Sequence, residues 1–240
     1  MKLTDVSRVI RRLRKVKRCG AVIVAAGTAS RMKGIDKIME PLGGDPVILR
    51  TVRAFQESPV ISEIVVVTRE EQILPISRLC AGLDKVRAVV AGGATRQESV
   101  ARGLSALAGQ VELVAVQDGA RPLVSQQLID RVVRAARTYG AAVPAVPVKD
   151  TVKIGKGGLV AATPDRKRLN AIQTPQAFDY DLLRGALEKA RKDGAEVTDD
   201  SSAVERLGMS VKIVEGEERN LKITTPMDLE IARLYLEGSV

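Results

Sequence analysis

The sequence contains no histidine, and aromatic residues make up only 2% of its 240 residues. Without histidine, the chain cannot form a Ser-His-Asp triad, a histidine general base or a histidine metal ligand. The scarcity of aromatic rings argues against a platform on which single-stranded bases stack. These two absences remove histidine-based catalysis and base stacking from the candidate functions.

Cysteines and long apolar runs are also scarce. The two cysteines, Cys19 and Cys80, match no metal or redox spacing, so we expect free thiols in a reducing compartment, the cytoplasm. No apolar run approaches the roughly 18–20 residues that a membrane span needs. The first residues also lack the apolar region and the small-residue cleavage pattern of a signal peptide.

Positive charge is in excess, with a formal net charge of +9 and a pI near 9.8. Such a balance suits nucleic acid, anionic membranes or phosphorylated small molecules as partners. Much of the excess lies in residues 1–18, where apolar residues recur at helical spacing. This basic N-terminal extension is compatible with a membrane-surface or anion-binding helix. A frayed extension or a docked surface helix explains it too, and we favour that interpretation.

Strand-like and helical patterns alternate along the rest of the chain. We predict strands at 21–26, 63–68, 85–92, 112–118, 141–148 (broken by prolines) and 211–216. We predict helices at 46–56, 71–83, 95–107, 125–140, 180–192 and 201–207, and a last helix from Pro226. This alternation predicts an α/β fold with a mostly parallel sheet and helices on both faces.

We find no linker that would mark a second large domain, so we predict a single domain over residues 19–240. Residues 148–169 depart from the alternation, because alternating residues flank a turn cluster at Gly155–Gly158. This pattern predicts a β-hairpin arm that leaves the sheet.

The first predicted strand runs into a loop of small residues and cations, AAGTASRMKGIDK. Ligands of open parallel sheets bind beyond the carboxyl ends of the strands. Small residues around Gly27 would let backbone N–H groups approach a polyphosphate, and Arg31 and Lys37 would neutralise its oxygens. The spacing matches neither a P-loop nor a dinucleotide fingerprint. The alternative is a tight turn with solvated cations.

Four further segments carry candidate functional residues. GGATRQES (92–99) is a second glycine-rich loop, in which Ser99 could hydrogen-bond a base or a phosphate. QDGARP (117–122) places Asp118 at a strand end, where a carboxylate suits Mg²⁺, although an Asp-Gly turn is the alternative. TDDSSAVE (198–205) begins with a helix N-cap. NLKITTPMDL (220–229) places Lys222 just before an expected strand end, as a phosphate ligand.

Six motifs occur in one order: AAGTASRM, GGATRQES, DGARP, TPQAF, TDDSSAVE and NLKITTP. From about Gly20 to its C-terminus, the chain resembles the 2-C-methyl-D-erythritol 4-phosphate cytidylyltransferases of the non-mevalonate isoprenoid pathway. The resemblance implies a Rossmann-like, three-layer nucleotidyltransferase that uses CTP, a polyol phosphate and Mg²⁺. It also implies a homodimer formed through the 148–169 arm, with no nucleic acid partner and no stable membrane association. Two alternatives are a ribitol 5-phosphate or other sugar-phosphate cytidylyltransferase, and a non-catalytic basic module that binds polyanions.

The resemblance also implies roles for the matching positions. The triphosphate loop would be Ala25, Ala26, Gly27, Arg31 and Lys37. The cytosine and nearby groups would meet Gly93, Ala94 and Ser99, and Asp118 would bind ribose or Mg²⁺ with support from Arg121. The sugar phosphate would meet Thr151 and Arg166 on the arm, together with Lys222. Arg31, Lys37 and Lys222 would be the catalytic cations.

One position departs from the family pattern. Ala29 stands where the family has a second glycine, and alanine disfavours positive φ.

The expected chemistry needs no general base, because the attacking group is a phosphate oxygen that is substantially ionised at pH 7. It would attack the α-phosphorus of CTP while pyrophosphate leaves in line, so that catalysis is positioning and charge neutralisation.

Overall fold

The computed structural model describes residues 18–27 and 36–238 of the chain. The strands are β1 (Cys19–Val24), β2 (Pro41–Leu42), β3 (Asp45–Pro46), β4 (Ile61–Thr68), β5 (Val86–Ala91), β6 (Leu113–Asp118), β7 (Ala141–Pro147), β8 (Ile154–Lys156), β9 (Leu159–Ala162), β10 (Asn170–Ile172), β11 (Gln176–Asp179) and β12 (Lys212–Glu215). The helices are α1 (Val47–Glu57), α2 (Ile73–Leu79), α3 (Arg96–Ala106), α4 (Gln126–Tyr139), α5 (Tyr180–Lys192), α6 (Asp200–Glu205) and α7 (Pro226–Glu237), and 3₁₀ turns span Glu70–Gln72 and Arg166–Arg168.

The main sheet has eight strands in the order β10-β7-β11-β6-β1-β4-β5, with β12 also paired to β7. The strands β6, β1, β4 and β5 are parallel to one another, and β12 is parallel to β7. In contrast, β11 pairs antiparallel with both β6 and β7, and β10 pairs antiparallel with β7. The prediction of a mostly parallel α/β sheet is confirmed, and β6 marks the boundary between its parallel and antiparallel parts.

Helices cover both faces of the sheet, as the near-continuous apolar sequences of its central strands require. Alternate residues of β1 enter two separate cores. Ala21 and Ile23 pack with Phe55 of α1 on one face, whereas Val22 packs with Val100 of α3 on the other. The sheet is therefore buried on both sides, and only its strand ends and edges can accommodate a ligand.

Three predicted elements differ in the structure. The helix predicted over 71–83 is a 3₁₀ turn followed by α2, which ends at Leu79 before a turn that contains Gly82. The strand β7 runs unbroken through Pro144, because the proline carbonyl still accepts a hydrogen bond from the Gln173 N–H at 2.8 Å. Residues 220–225 contain no strand, so Lys222 does not precede a strand end.

The hairpin arm is confirmed. Strands β8 and β9 form a two-stranded sheet of their own. Gly157 and Gly158 make the turn at φ of 59° and 80°, a conformation that favours glycine. The apolar side chains of Ile154, Leu159 and Val160 are exposed on this arm. The basic N-terminal extension, residues 1–18, falls almost wholly on residues 1–17, outside the described part, so neither interpretation of it is tested.

Candidate active site

The carboxyl ends of β1, β5 and β6 surround a cavity of about 370 Å³. In the sheet register Val24 at the end of β1 pairs with Asp118 at the end of β6. The sequence-predicted residues that line this cavity are Ala25, Ala26, Gly27, Lys37, Gly93, Ala94, Ser99, Asp118 and Lys222. The topology therefore brings together residues that are up to 197 positions apart. Arg31 and Ala29 lie outside the described residues.

Two glycines allow the loops around this cavity to approach one another. A Cβ on Gly92 would overlap the Cβ of Ala26 and lie 2.8 Å from Ser99 Oγ. A Cβ on Gly119 would lie 2.9 Å from Ile48 Cδ1 and 3.0 Å from the Cβ of Ala25. Side chains at these positions would close the space in which backbone groups can meet a ligand.

Ser99 holds the shape of the loop after β5. Its hydroxyl accepts a hydrogen bond from the Gly93 N–H at 3.1 Å and donates to the Thr95 carbonyl at 2.9 Å. Thr95 in turn caps α3, since its Oγ1 accepts from the Glu98 N–H at 3.1 Å. Ser99 is buried, and a contact between its hydroxyl and a nucleobase stays a prediction.

Asp118 is held by two cations and a hydroxyl. Its Oδ2 lies 3.0 Å from Lys222 Nζ and 3.3 Å from Arg121 Nε. Its backbone N–H donates to Thr174 Oγ1 at 3.0 Å. Burial alone would raise the pKa of Asp118, but the charges of Lys222 and then Arg121 outweigh this and hold the pKa below its usual value. The carboxylate is therefore ionised at neutral pH.

A second cavity of about 450 Å³ adjoins the first and shares Arg96, Asp118 and Lys222 with it. Its other walls come from the 172–176 segment and from the start of α6, including Thr174 and Thr198. TPQAF and TDDSSAVE are recognisable as motifs in the sequence, but none of their residues was predicted to belong to a site. Arg96 was not predicted either. The motifs themselves were the available signal, since Thr174 and Thr198 each stand at the start of one.

The two arm residues lie elsewhere. Thr151 and Arg166 are exposed and line neither cavity. The Nη1 of Arg166 donates to the Lys149 carbonyl at 2.7 Å, within the arm. The structure of one chain therefore does not bring these residues to the strand-end cavities.

Magnesium fits this site only as an ion shared with a substrate. Within 18–27 and 36–238, no three or more Asp, Glu, Cys or His side chains are grouped so that they could hold a metal. Asp118 supplies one carboxylate, whose Oδ2 is already engaged by both cations. Mg²⁺ commonly takes one or two carboxylates and completes its shell with water and substrate phosphates, so this donor set is compatible with it.

Comparison with known proteins gives a consistent result. The family model described as 2-C-methyl-D-erythritol 4-phosphate cytidylyltransferase matches residues 19–238. A protein of that name from Geobacillus kaustophilus is 46% identical over 223 residues, which cover 90% of this chain and 96% of the relative. Another, from Caldanaerobacter subterraneus, is 44% identical over 225 residues, covering 90% of this chain and 97% of the relative.

Solved structures agree with the sequence relatives. The crystal structure of 4-diphosphocytidyl-2C-methyl-D-erythritol synthase from Anaerococcus prevotii superposes with a TM-score of 0.83 at 36% identity, covering 93% of this chain and 100% of that one. The Thermus thermophilus 2-C-methyl-D-erythritol 4-phosphate cytidylyltransferase gives 0.76 at 38% identity, covering 90% and 98%. The match to an enzyme family argues against the alternative of a non-catalytic basic module. The chain therefore belongs to the 2-C-methyl-D-erythritol 4-phosphate cytidylyltransferase family and is a cytidylyltransferase enzyme.

Proposed function

We propose that this chain transfers the CMP moiety of CTP to 2-C-methyl-D-erythritol 4-phosphate. The products are 4-diphosphocytidyl-2-C-methyl-D-erythritol and pyrophosphate, in the synthesis of isoprenoid precursors. The observation that carries the proposal is the pair of adjoining cavities that share Arg96, Asp118 and Lys222. Two anionic substrates that must react need two spaces with a common charged boundary.

The nucleotide would occupy the first cavity. Its walls are short side chains and backbone around Gly27, Gly93 and Ala94, which suit close approach of N–H groups to a base and a triphosphate. Lys37 lines the same cavity and, with Arg31, would neutralise phosphate oxygens. Asp118 would bind the ribose or a Mg²⁺ ion, and that ion would offset charge on the triphosphate.

The sugar phosphate would occupy the second cavity. Arg121 lies at its wall and is anchored by a hydrogen bond from its Nη1 to the Asn220 carbonyl at 2.6 Å. The hydroxyls of Thr174 and Thr198 suit a polyol. Thr151 and Arg166 would reach this cavity only from a second copy of the chain, so this assignment requires a homodimer joined through the arms.

The chemistry needs charge neutralisation rather than a base. A phosphate oxygen of the sugar phosphate attacks the α-phosphorus of CTP, one P–O bond forms, and the bond to pyrophosphate breaks. Lys222 stands on the boundary of both cavities, where it would draw the two anions together.

The location that we propose is the cytoplasm, because Cys19 and Cys80 are free thiols. Among residues 18–27 and 36–238, the structure contains no helix with the length and hydropathy of a transmembrane span.

Pyrophosphate release tests the proposal. We expect release with CTP and methylerythritol phosphate, and much slower release when ribitol 5-phosphate replaces the acceptor. A base site that hydrogen-bonds cytosine should also reject UTP and ATP by a large factor. Faster turnover of ribitol 5-phosphate would reassign the acceptor, and equal turnover of the three nucleotides would contradict the cytidine site.

A further inference from the structure

Arg96 is an unassigned cation at the boundary between the two cavities. It begins α3 and lines both cavities together with Asp118 and Lys222. Its Nη2 donates to Oδ2 of Asp200 at 2.6 Å. The side chain of Arg96 is 30% exposed, whereas that of Asp200 is 1% exposed. The pair thus consists of a buried anion and a cation that is open to the site.

The buried member of this pair is energetically unfavourable. Within the described chain, Asp200 Oδ1 has no hydrogen-bond partner. Burial raises the pKa of Asp200 above its usual value, although the charge of Arg96 acts in the opposite direction. An asparagine would fill almost the same volume without placing a charge in the interior. Packing of α6 therefore does not explain why an ionisable group stands here.

Each of the two helices also has anchors other than this pair. The first turn of α3 is capped by Thr95, and Val100 and Leu104 anchor the helix in the core. The first turn of α6 has its own capping box at Asp199. Replacing both members of a buried ion pair by uncharged side chains is often neutral for stability, whereas removing one member is costly when it leaves the other buried and charged.

The surroundings of Arg96 point to the reacting phosphates instead. Burial alone would lower the pKa of Arg96, but the charge of Asp200, followed by those of Asp118 and Asp199, raises it. The guanidinium therefore lies within electrostatic reach of the carboxylate that faces the nucleotide cavity. Asp118 offsets part of the charge of Lys222, so a second cation on the boundary that both cavities share would strengthen the neutralisation of two phosphates there.

We propose that Arg96 is this second cation, facing both substrate phosphates, and that Asp200 is a positioning residue that holds the Arg96 guanidinium at the boundary. This inference rests on the proposed function, because the proposed function assigns the two cavities to CTP and the sugar phosphate. A planar guanidinium suits the task, since it can bond Asp200 on one side and present further N–H donors to phosphate oxygens on the other.

Steady-state kinetics of Arg96→Gln, Asp200→Asn and the double variant test the inference, with pyrophosphate release as the readout. We expect Arg96→Gln to lower kcat/KM about 10²-fold and Asp200→Asn to lower it about tenfold. Because Asp200 acts through Arg96, the double variant should be no slower than Arg96→Gln alone. Arg96→Lys retains the charge and should recover about tenfold over Arg96→Gln.

A matched control is Asp181→Asn on α5. Asp181 also pairs with an arginine, Arg184, at 2.9 Å, but both side chains are exposed. This variant should keep wild-type kinetics and measures the effect of removing one carboxylate. Thermal unfolding of Asp200→Asn supplies a second readout. We expect a midpoint close to that of the wild type, because Arg96 is partly exposed and an asparagine oxygen can still accept its hydrogen bond.

Several outcomes would overturn the inference while leaving the proposed function intact. One is a kcat/KM of Arg96→Gln within twofold of the wild-type value. Another is a double variant whose loss of kcat/KM equals the product of the two single losses. A third is equal activity of Arg96→Lys and Arg96→Gln. A lower unfolding midpoint for Asp200→Asn with unchanged kcat/KM would also overturn it, because the pair would then be purely structural. Failure of the wild type to release pyrophosphate would instead refute the proposed function itself.

Discussion

At the scale of single residues, the site is a balance of a few buried charges. Asp118 is ionised because Lys222 and Arg121 contact the same carboxylate oxygen. Arg96 has its own buried carboxylate in Asp200. Each cation at the cavity boundary is thus oriented by an acid, which fixes its position before a substrate arrives.

Lys37 provides a prediction at this scale. It lines the proposed nucleotide cavity, where charge would develop on the reacting phosphorus. We expect Lys37→Ala to lower kcat by roughly 10²–10³ with a modest change in KM for the sugar phosphate, because the lost contact strengthens in the transition state. Steady-state kinetics with each substrate varied in turn measures both constants. Wild-type kcat would contradict the proposed role of Lys37.

The sequence could predict some site residues but not others, for a physical reason. Asp118 could be predicted because it ends a long apolar strand, and Lys222 was predicted from its motif, although the strand end expected after it is absent. Arg96 follows the helix cap Thr95, so TRQES is explained locally as a helix start. Its partner Asp200 is 104 residues away. A local sequence pattern cannot indicate that an arginine such as Arg96 forms an ion pair with a buried aspartate so distant in the sequence.

At the scale of elements, α3 lies unusually close to the sheet. A Cβ on Gly103 would overlap Val22 Cγ1 of β1 and lie 2.8 Å from Val67 Cγ2 of β4. Since neighbouring strands and the helix are all packed at this point, neither valine can move freely. The glycine allows α3 to bring Arg96 and the 92–99 loop against the strand ends.

Gly103→Ala should therefore destabilise the protein by about 1–3 kcal/mol, although alanine is the better helix former. Gly185→Ala is the matched control, because Gly185 lies within α5 and its Cβ would meet nothing within 4 Å. That variant should be stabilised by up to about 1 kcal/mol. Chemical denaturation measures both changes, and equal effects would contradict the close packing of α3.

The start of α6 gives a prediction on pH. Asp199 Oδ1 accepts from the Ser202 N–H at 2.9 Å, and its Oδ2 accepts from Gln176 Nε2 at 2.7 Å. Burial would raise the pKa of Asp199, but these hydrogen bonds outweigh it and hold the pKa below its ordinary value of 3.8. The stabilisation is therefore fully present above pH 3.8 and is lost as pH falls through the lower folded-state pKa.

Asp199→Ala should lose about 1–2 kcal/mol of stability at pH 7, and its difference from the wild type should shrink towards about pH 2. Unfolding by denaturant at several pH values measures the difference. Glu205→Ala, at the exposed end of the same helix, is the control. A difference between Asp199→Ala and the wild type that stayed constant with pH would show that the carboxylate charge contributes nothing.

Elements with a clear repeated apolar period could be predicted more reliably than very short strands, although the helix predicted over 71–83 is shorter in the structure. The helix predicted over 180–192 is confirmed with the same bounds, because thirteen residues repeat the apolar period several times. The strands β10 and β11, with three and four residues, had no predicted counterpart. All three residues of β10 are exposed, so no alternation marks the strand. Both strands exist through pairing with distant partners in β6 and β7.

At the scale of the whole molecule, the arm is a region whose apolar side chains a single chain leaves exposed. Leu159 is 76% exposed and Val160 is 63% exposed. A two-stranded hairpin is marginal alone in water. The proposed homodimer would cover these side chains and bring Thr151 and Arg166 towards the neighbouring sugar-phosphate cavity.

Sedimentation at micromolar concentration should therefore show a dimer, and Leu159→Asp should shift it towards monomer by burying a charge in the interface.

Arg166→Ala should raise KM for the sugar phosphate about tenfold or more, or about 1.4 kcal/mol, and leave KM for CTP nearly unchanged. Lys156→Ala, an exposed cation of the same arm, is the control. A fully active monomer would contradict the shared site.

Mixing subunits tests the same geometry independently. In a dimer of one Arg166→Ala subunit and one Lys37→Ala subunit, one of the two sites regains both native side chains. Random exchange should thus restore about a quarter of the sites. Arg166→Ala mixed with the double variant should restore none, because no site then combines both native residues.

The change of strand direction at β6 has a consequence for how such an enzyme can acquire a new acceptor. The glycine-rich loops of the first cavity follow β1 and β5, which lie on the parallel side of β6. The hydroxyls of the second cavity come from residues 172–202, a stretch that includes the antiparallel strand β11. The walls that belong to the second cavity alone thus come largely from one stretch of the sequence, whereas Arg96, Asp118 and Lys222 line both cavities. A chimera that exchanges only the 170–205 stretch would replace most of the second cavity's own wall and leave the glycine-rich loops, Lys222 and the arm residues Thr151 and Arg166 unchanged.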